Sequence, residues 1–132
     1  MIDSSRWINN ENGKRSDAAH HFLYPHAINP NLDIVTGCLV KKVIIEGDKA
    51  VGIEYLQDPT FHQGASNDII VATAKKYVVV SAGTFGTPAI LERSGIGSSD
   101  LHQKLGIQTV VDLPGVGENY QGKLFSEFIV KY

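Results

Sequence analysis

The sequence is poor in sulfur and indole: one cysteine, one methionine and one tryptophan among 132 residues. A single cysteine, Cys38, excludes an internal disulfide and any CxxC metal site, and it reads as a small core residue. Charge of one sign is also lacking. Lys and Arg number 12 against 14 Asp and Glu, a net charge of -2, and no basic stripe stands out. That excludes the electrostatic footprint of a nucleic-acid binder. The longest apolar runs fall far short of the roughly 20 residues a membrane span needs. The opening "MIDSSRWINNENGKR" has no apolar stretch, so no signal peptide is expected. There is no HExxH, no GxSxG, no internal repeat and no low-complexity segment.

What is present suits a soluble α/β chain with room for one modest domain. Residues 1–15 are polar, with Asn9-Asn10 and Asn12-Gly13 as turn signals, and read as a loop. "SDAAHHFLYPHA" starts with Ser16 or Asp17 as N-cap, carries Ala18, Ala19, Phe22 and Leu23 as an apolar face, and meets Pro25. "NPNLDIVTG" reads as a turn and a short strand. "LVKKVIIEGDKAVGIEYLQD" predicts two strands joined at Glu46-Gly47-Asp48. Residues 57–70 read as a loop. "IIVATAKKYVVVSAG" holds a further antiparallel arm and then a continuously apolar strand, of the kind buried on both faces in parallel sheets. "TPAILERSG" and "SSDLHQKLG" predict two short helices. Thr87 caps the first, with Pro88 at its first position. Ser98 or Ser99 caps the second, and Gly106 stops it. A strand and a glycine-rich turn follow in "IQTVVDLPGVGENYQG", and "FSEFIVKY" reads as a strand.

Two glycine clusters carry what chemistry the pattern offers. The apolar strand ends on Ser81-Ala82-Gly83, where open α/β sheets bind ligands. Gly83 permits close approach of a ligand to the backbone, or simply a tight strand-to-helix turn. In "LPGVGENYQ" Gly115 and Gly117 allow the same two readings. It is not a GxGxxG, because Tyr120 stands where the third glycine belongs. His20-His21 has no third ligand at a metal spacing and reads as helix surface. His26, His62 and His102 lie in polar segments. Each is chemically able to act as a general base, and none has a partner readable in the sequence.

The stretch "SAGTFGTPAILERSGIG" resembles the second signature of the glucose-methanol-choline (GMC) oxidoreductases. The matching residues are Thr87-Pro88, Ile90-Leu91 and Ser94-Gly95-Ile96-Gly97. "LGIQTVVDLPGVGENYQ" resembles the segment that follows it in the family. "GKRSDAAHHFLYPHAINPNLDIVTGCLVKKVIIEGDKAVGIEY" resembles the one that precedes it. The run "RSDAAH" is most similar to the fungal alcohol (methanol) oxidase branch, while aryl-alcohol and glucose oxidases share much of the pattern.

The resemblance implies a Rossmann-like FAD-binding domain with an antiparallel β excursion. It implies oxidation of a primary alcohol to an aldehyde, with O2 reduced to H2O2. The cofactor is then FAD and the partners are an alcohol and O2. Self-association and a peroxisomal location are expected of the full enzyme, and no nucleic acid or membrane. Carried over by position, Val40 matches the valine whose backbone contacts the adenine part of FAD. Ser81, Ala82 and Gly83 match the strand end packed on the cofactor, and Asn119 and Gln121 match polar residues of the following turn. No catalytic or metal-ligating residue is carried over.

Where the family continues with Asp-His after "NYQ", this chain has Gly122-Lys123, so contacts made through those side chains are not expected. The family's pyrophosphate-binding GxGxxG unit and its histidine pair are not among these residues. The expected organisation is a partial FAD-binding domain over residues 1–132, with residues 123–132 starting a substrate-domain strand. Alone, such a piece is expected to be inactive. Two other readings stay open: a non-catalytic nucleotide-binding or interaction domain that kept the fold, and a plain α+β scaffold whose glycine turns are structural.

Overall fold

The structure, a computed structural model, describes residue 9 and residues 13–122. Where composition allowed one domain, the chain divides into two compact units, Met1–Thr36 and Gly37–Tyr132. The strand expected over 123–132 and most of the expected loop over 1–15 lie outside the described residues.

In the first unit, Gly13 N–H donates to Asn9 O at 2.8 Å and closes a turn. A π-helical turn, Ala19–Leu23, runs into a 3-10 turn, Tyr24–His26. Asp17 caps this coil as expected: its Oδ1 accepts from His20 N–H at 2.9 Å and lies 2.7 Å from His20 Nδ1. Coiling stops one residue past Pro25, whose ring removes a donor. The apolar face is not packed, however. Phe22 is 75% exposed. Residues 32–36 form no strand. Ile34 and Val35 supply the pattern, but a strand exists only with a ladder partner, and the described residues offer none.

The second unit is built on the predicted hairpin. Strand β1 (Cys38–Glu46) pairs antiparallel with β2 (Lys49–Gln57) across Gly47-Asp48, and β2 pairs antiparallel with β3 (Ile70–Thr73). The order is β1-β2-β3. Lys42 Nζ meets Glu54 Oε1 at 3.3 Å across the first pair. Cys38 is half-buried at the start of β1 and not a core residue, because it sits at the sheet's end rather than under a helix. The β1–β2 ladder slips between Val40 and Lys42. Such a bulge leaves the extra residue, Lys41, outside the pairing.

The free edge of β1 is closed by a helix. Helix α1 spans Gly83–Arg93. Its last residue, Arg93, donates from Nε to Lys41 O at 2.7 Å and from Nη2 to Val40 O at 3.2 Å. Ser94, the C-cap, is buried; its Oγ accepts from Val43 N–H at 2.8 Å and donates to Ile90 O at 2.6 Å. Val43 and Ile90 are themselves the buried apolar side chains of the described core. Polar groups of a bulged edge strand are thus satisfied by two consecutive side chains at a helix terminus, next to the small core they seal.

Helix α1 starts four residues before the expected Thr87 cap. Thr87 Oγ1 instead accepts from Ala82 N–H at 2.9 Å, which satisfies a donor at the helix entrance. Pro88 therefore lies inside the helix, not at its first position. After Gly95, with φ 82°, come strand β4 (Ile96–Gly97), helix α2 (Ser99–Leu105) and strand β5 (Val111–Asp112), and β4 pairs parallel with β5. A side chain at Gly95 would run into Gln108 O and Val110, so the chain crosses itself here only because the residue is glycine. Ser98 occupies the N-cap position of α2 but makes no capping bond. Asp112 Oδ1 takes its place, accepting from Ser99 N–H at 2.9 Å. Gly106 stops α2 as expected.

The segment 77–80, expected as a strand buried on both faces, joins no sheet among the described residues. Val78 and Val80 turn inward and are half-buried, while Tyr77 and Val79 are each 83% exposed. An apolar run specifies a wish for two covering layers, but burial requires that those layers be there.

Two outcomes follow. Ser94→Ala leaves Val43 N–H buried without an acceptor, so the second unit is expected to lose about 1–3 kcal/mol, read as a lower urea midpoint at unchanged m. The His20 amide, then its ring, hold the Asp17 carboxyl below the ordinary aspartate value. The sign is that of a depressed acid: its support of the coil is present above the unfolded-state value and is lost as pH falls through the lower folded one. An NMR titration should place the Asp17 midpoint below that of an unstructured peptide, with the His20 amide shift following it. A normal midpoint contradicts the cap.

Candidate functional site

The apolar segment 77–80 delivers Ser81-Ala82-Gly83 to the entrance of α1. Gly83 has φ 80°, which a side chain would strain by about 1–2 kcal/mol. A Cβ built on it would meet nothing within 4 Å. The tight turn is therefore real, and the space above it is open to another molecule. The two readings open at the sequence level are compatible in this geometry.

Two hollows lie on either side of that entrance. One, of about 180 Å³, is lined by Val40, Val79, Ser81, Ala82 and Ile90 among others. The other is a cleft of about 480 Å³ between the first turns of α1 and residues 116–121. Thr84, Phe85 and Pro88 form its helix wall, and Gly117, Asn119 and Gln121 face them. The sequence-predicted residues are thus brought together as two groups: Val40, Ser81 and Ala82 share the small hollow, and Asn119 and Gln121 share the cleft. Gly83 stands at the turn between the groups and lines neither.

The cleft has parts the sequence did not announce. Phe85 and Tyr120 stack with ring centroids 5.1 Å apart and planes tilted by 37°. Gln121 Nε2 donates to Asn119 Oδ1 at 3.1 Å. Asn119 has φ 55°, a left-handed conformation that asparagine tolerates better than other side chains and that clusters at functional turns. A Cβ on Gly117 would sit 3.2 Å from Glu92 Oε1, so the Glu92 carboxylate lies against that glycine. Among the described residues, Glu92 and Glu118 both line the cleft, and no Lys, Arg or His does. The only sequence signal for these residues was their place beside the two glycine clusters. Nothing in spacing couples Phe85 to Tyr120.

The histidines stand elsewhere. His20, His21 and His26 are exposed in the first unit, and His62 is half-buried. His102, read as part of a polar segment, is fully buried on α2, with Nδ1 3.1 Å from Thr109 Oγ1. The correction has a simple cause: α2 is short and turns this one side chain inward, and Thr109 supplies a polar partner. No group of three or more metal-ligating side chains occurs among the described residues. Nor is any described helix long and apolar enough to cross a membrane.

The family model described as GMC oxidoreductase matches residues 3–124. The chain belongs to the GMC oxidoreductase family. It is 43% identical over 114 residues to an oxygen-dependent choline dehydrogenase of Pseudomonas putida, covering 86% of this chain and 19% of that one. It is 38% identical over 130 residues to an alcohol oxidase of Pichia angusta, covering 96% and 19%. An alcohol oxidase of Candida boidinii is 41% identical over 117 residues, covering 88% and 17%. Among solved structures, an FAD-dependent oxidoreductase from Chaetomium thermophilum superposes with a TM-score of 0.72 at 34% identity, over 82% of this chain and 18% of that one. The GMC chain described here therefore spans about a fifth of the length of the curated relatives it matches. The α/β architecture with an antiparallel excursion is that of an FAD-dependent neighbour, and the family match and that neighbour indicate FAD.

The residues present fit part of such a cofactor. A cleft of about 480 Å³ is in the range of small-molecule sites. Its neutral amides, Asn119 and Gln121, suit hydroxyl groups and ring nitrogens. Its two carboxylates disfavour a pyrophosphate. Open space over Gly83 admits a flat or sugar-like group against the backbone.

Proposed function

We propose that this chain forms one wall of the FAD site of an alcohol oxidase that converts a primary alcohol to an aldehyde and reduces O2 to H2O2. The observation that carries the reading is the Ser81-Ala82-Gly83 turn, with its positive φ and unfilled space at the mouth of α1. Val40, Ser81, Ala82 and Gly83 would hold the adenosine half. Val40 O already accepts from Arg93, which fixes its direction and leaves a second lone pair for the cofactor. Asn119 and Gln121 would bind uncharged polar groups from the cleft side. Bound FAD supplies the acceptor for the two electrons that leave the alcohol.

Among the described residues no histidine lines the cleft. In this reading the groups placed here bind and orient, and the hydroxyl proton that alcohol oxidation must release is taken by a group outside them. By itself the 132-residue polypeptide is expected to turn over no alcohol. A peroxisomal site of action goes with the alcohol oxidase reading, as the resemblance implies. The second reading is a choline-type alcohol, favoured by the 43% identity to the bacterial choline dehydrogenase.

Mixing the polypeptide with FAD should shift the flavin absorbance band. Gly83→Val, which fills the open space, should weaken that binding at least tenfold, a loss of about 1.4 kcal/mol. Unchanged affinity in the variant removes the turn from the site. An H2O2 assay with methanol, ethanol and benzyl alcohol should stay at the free-FAD background. Robust turnover would place a proton acceptor within these residues. In the holoenzyme, the ratio of kcat/KM for methanol over choline separates the two substrate readings.

A further inference from the structure

The side chain of Glu92 runs between two glycines. Its Cγ lies 3.2 Å from where a Cβ on Gly97 would stand, and its Oε1 lies 3.2 Å from where a Cβ on Gly117 would stand. A side chain at either position would crowd the carboxylate out of its place. The two glycines are glycine for different reasons. Gly117 has φ 79°, which favours glycine on backbone grounds alone. Gly97 lacks the left-handed φ that would favour glycine, so what a side chain there would take is space. That space is shared with α2. His102 Nε2 also lies 3.2 Å from the Cβ position at Gly97, and it is a buried atom with no hydrogen-bond partner among the described residues. The buried His102 ring therefore backs the stem of Glu92, and Gly117 leaves room for its oxygen.

The carboxylate held in this way is short of donors. Glu92 is half-buried, and its carboxylate makes no hydrogen bond or ion pair among the described residues. The neighbouring Arg93 is occupied by the carbonyls of Lys41 and Val40. Glu118, the other carboxylate of the cleft, is exposed and open to water. An ionised carboxylate only accepts hydrogen bonds, and partial burial without donors is unfavourable. The missing donors must come from whatever fills the cleft. On the opposite wall, Asn119 Oδ1 already accepts from Gln121 Nε2, so Asn119 offers its N–H groups and Gln121 its carbonyl. An ammonium group would only donate to this lining, and a phosphate would only accept. A hydroxyl does both at one atom: it gives its proton to a carboxylate and accepts from an amide.

We propose that Glu92 is the hydroxyl-binding residue of the cleft, and that its carboxylate accepts from a sugar hydroxyl of the bound dinucleotide. This rests on the FAD reading above. The ribityl chain and the ribose both carry such hydroxyls, and either forms the same charge-assisted O–H···O⁻ bond, about twice as strong as a neutral one. Gly97 and His102 hold the acceptor where the ligand meets it.

Flavin fluorescence measures binding of FAD to the polypeptide, alongside two analogues, one lacking the ribityl hydroxyls and one lacking the ribose hydroxyls. Glu92→Ala removes no bond within the described residues, so the variant should fold. It should weaken FAD about tenfold or more, as expected for a hydrogen bond to a charged group. One analogue should bind the unaltered chain as weakly as FAD binds the variant, and should lose nothing further in the variant; which one it is identifies the source of the hydroxyl. Unchanged FAD affinity in Glu92→Ala, or equal losses for FAD and both analogues, overturns the proposal while the FAD reading stands. An unaltered chain that binds no FAD overturns both. The seat of the carboxylate has a readout without cofactor: Gly97→Ala should move the NMR signals of the Glu92 carboxyl carbon and the His102 ring together, and should weaken FAD in step with Glu92→Ala. Signals that stay where they are overturn the shared seat, and the proposal with it.

Discussion

Everything in the second unit hangs on how the outer edge of β1 is satisfied. A bulge at Lys41 throws backbone groups outward, and an apolar cover would leave them unpaired. The Arg93 guanidinium takes the carbonyls of Lys41 and Val40, and the Ser94 hydroxyl takes the amide of Val43. Ser94 also returns its own proton to Ile90 O, which ties off a carbonyl at the end of α1. The same two residues thus terminate a helix, close a sheet edge and flank the buried pair Val43 and Ile90. Losing an acceptor there costs more than an exposed hydrogen bond would, because no water replaces it.

That latch orients α1, and α1 orients the site. Its C-terminal end is pinned to β1, so its first turns must lie where the Ser81-Ala82-Gly83 segment arrives. Thr87 reaches back to the amide of Ala82 and fixes the entrance. The helix then presents Phe85 and Pro88 to the cleft and Ile90 to the core. Glu92 closes the far end of the cleft against Gly117.

The chemistry available is correspondingly specific. The GMC family membership and the FAD-dependent neighbour fit a wall that offers backbone, neutral amides and aromatic rings. Two buried polar groups, Ser94 and His102, stand away from the cleft: Ser94 bridges Val43 N–H and Ile90 O, and His102 Nδ1 lies 3.1 Å from Thr109 Oγ1.

Much of this was legible in the residues. The hairpin at Gly47-Asp48, the cap at Asp17 and the end of α2 at Gly106 are local devices, each set by a side chain or a φ value within a few residues. The family signature, too, is written in local order along the chain, so it named the fold and FAD. What failed was non-local. Residues 77–80 had the apolarity of a buried strand but not the partners. The start of α1 moved because Thr87 found an amide five residues back, and the cap of α2 came from Asp112 rather than Ser98. His102 became core only once its helix was packed. By itself, the sequence determined the hairpin, the local turns and caps, and the family, because those depend on neighbours in the chain. Only the tertiary structure decided that Arg93 and Ser94 seal β1, that Phe85 meets Tyr120, and that Val40 shares a hollow with Ser81. Those pairings join residues tens of positions apart, and no local pattern encodes them.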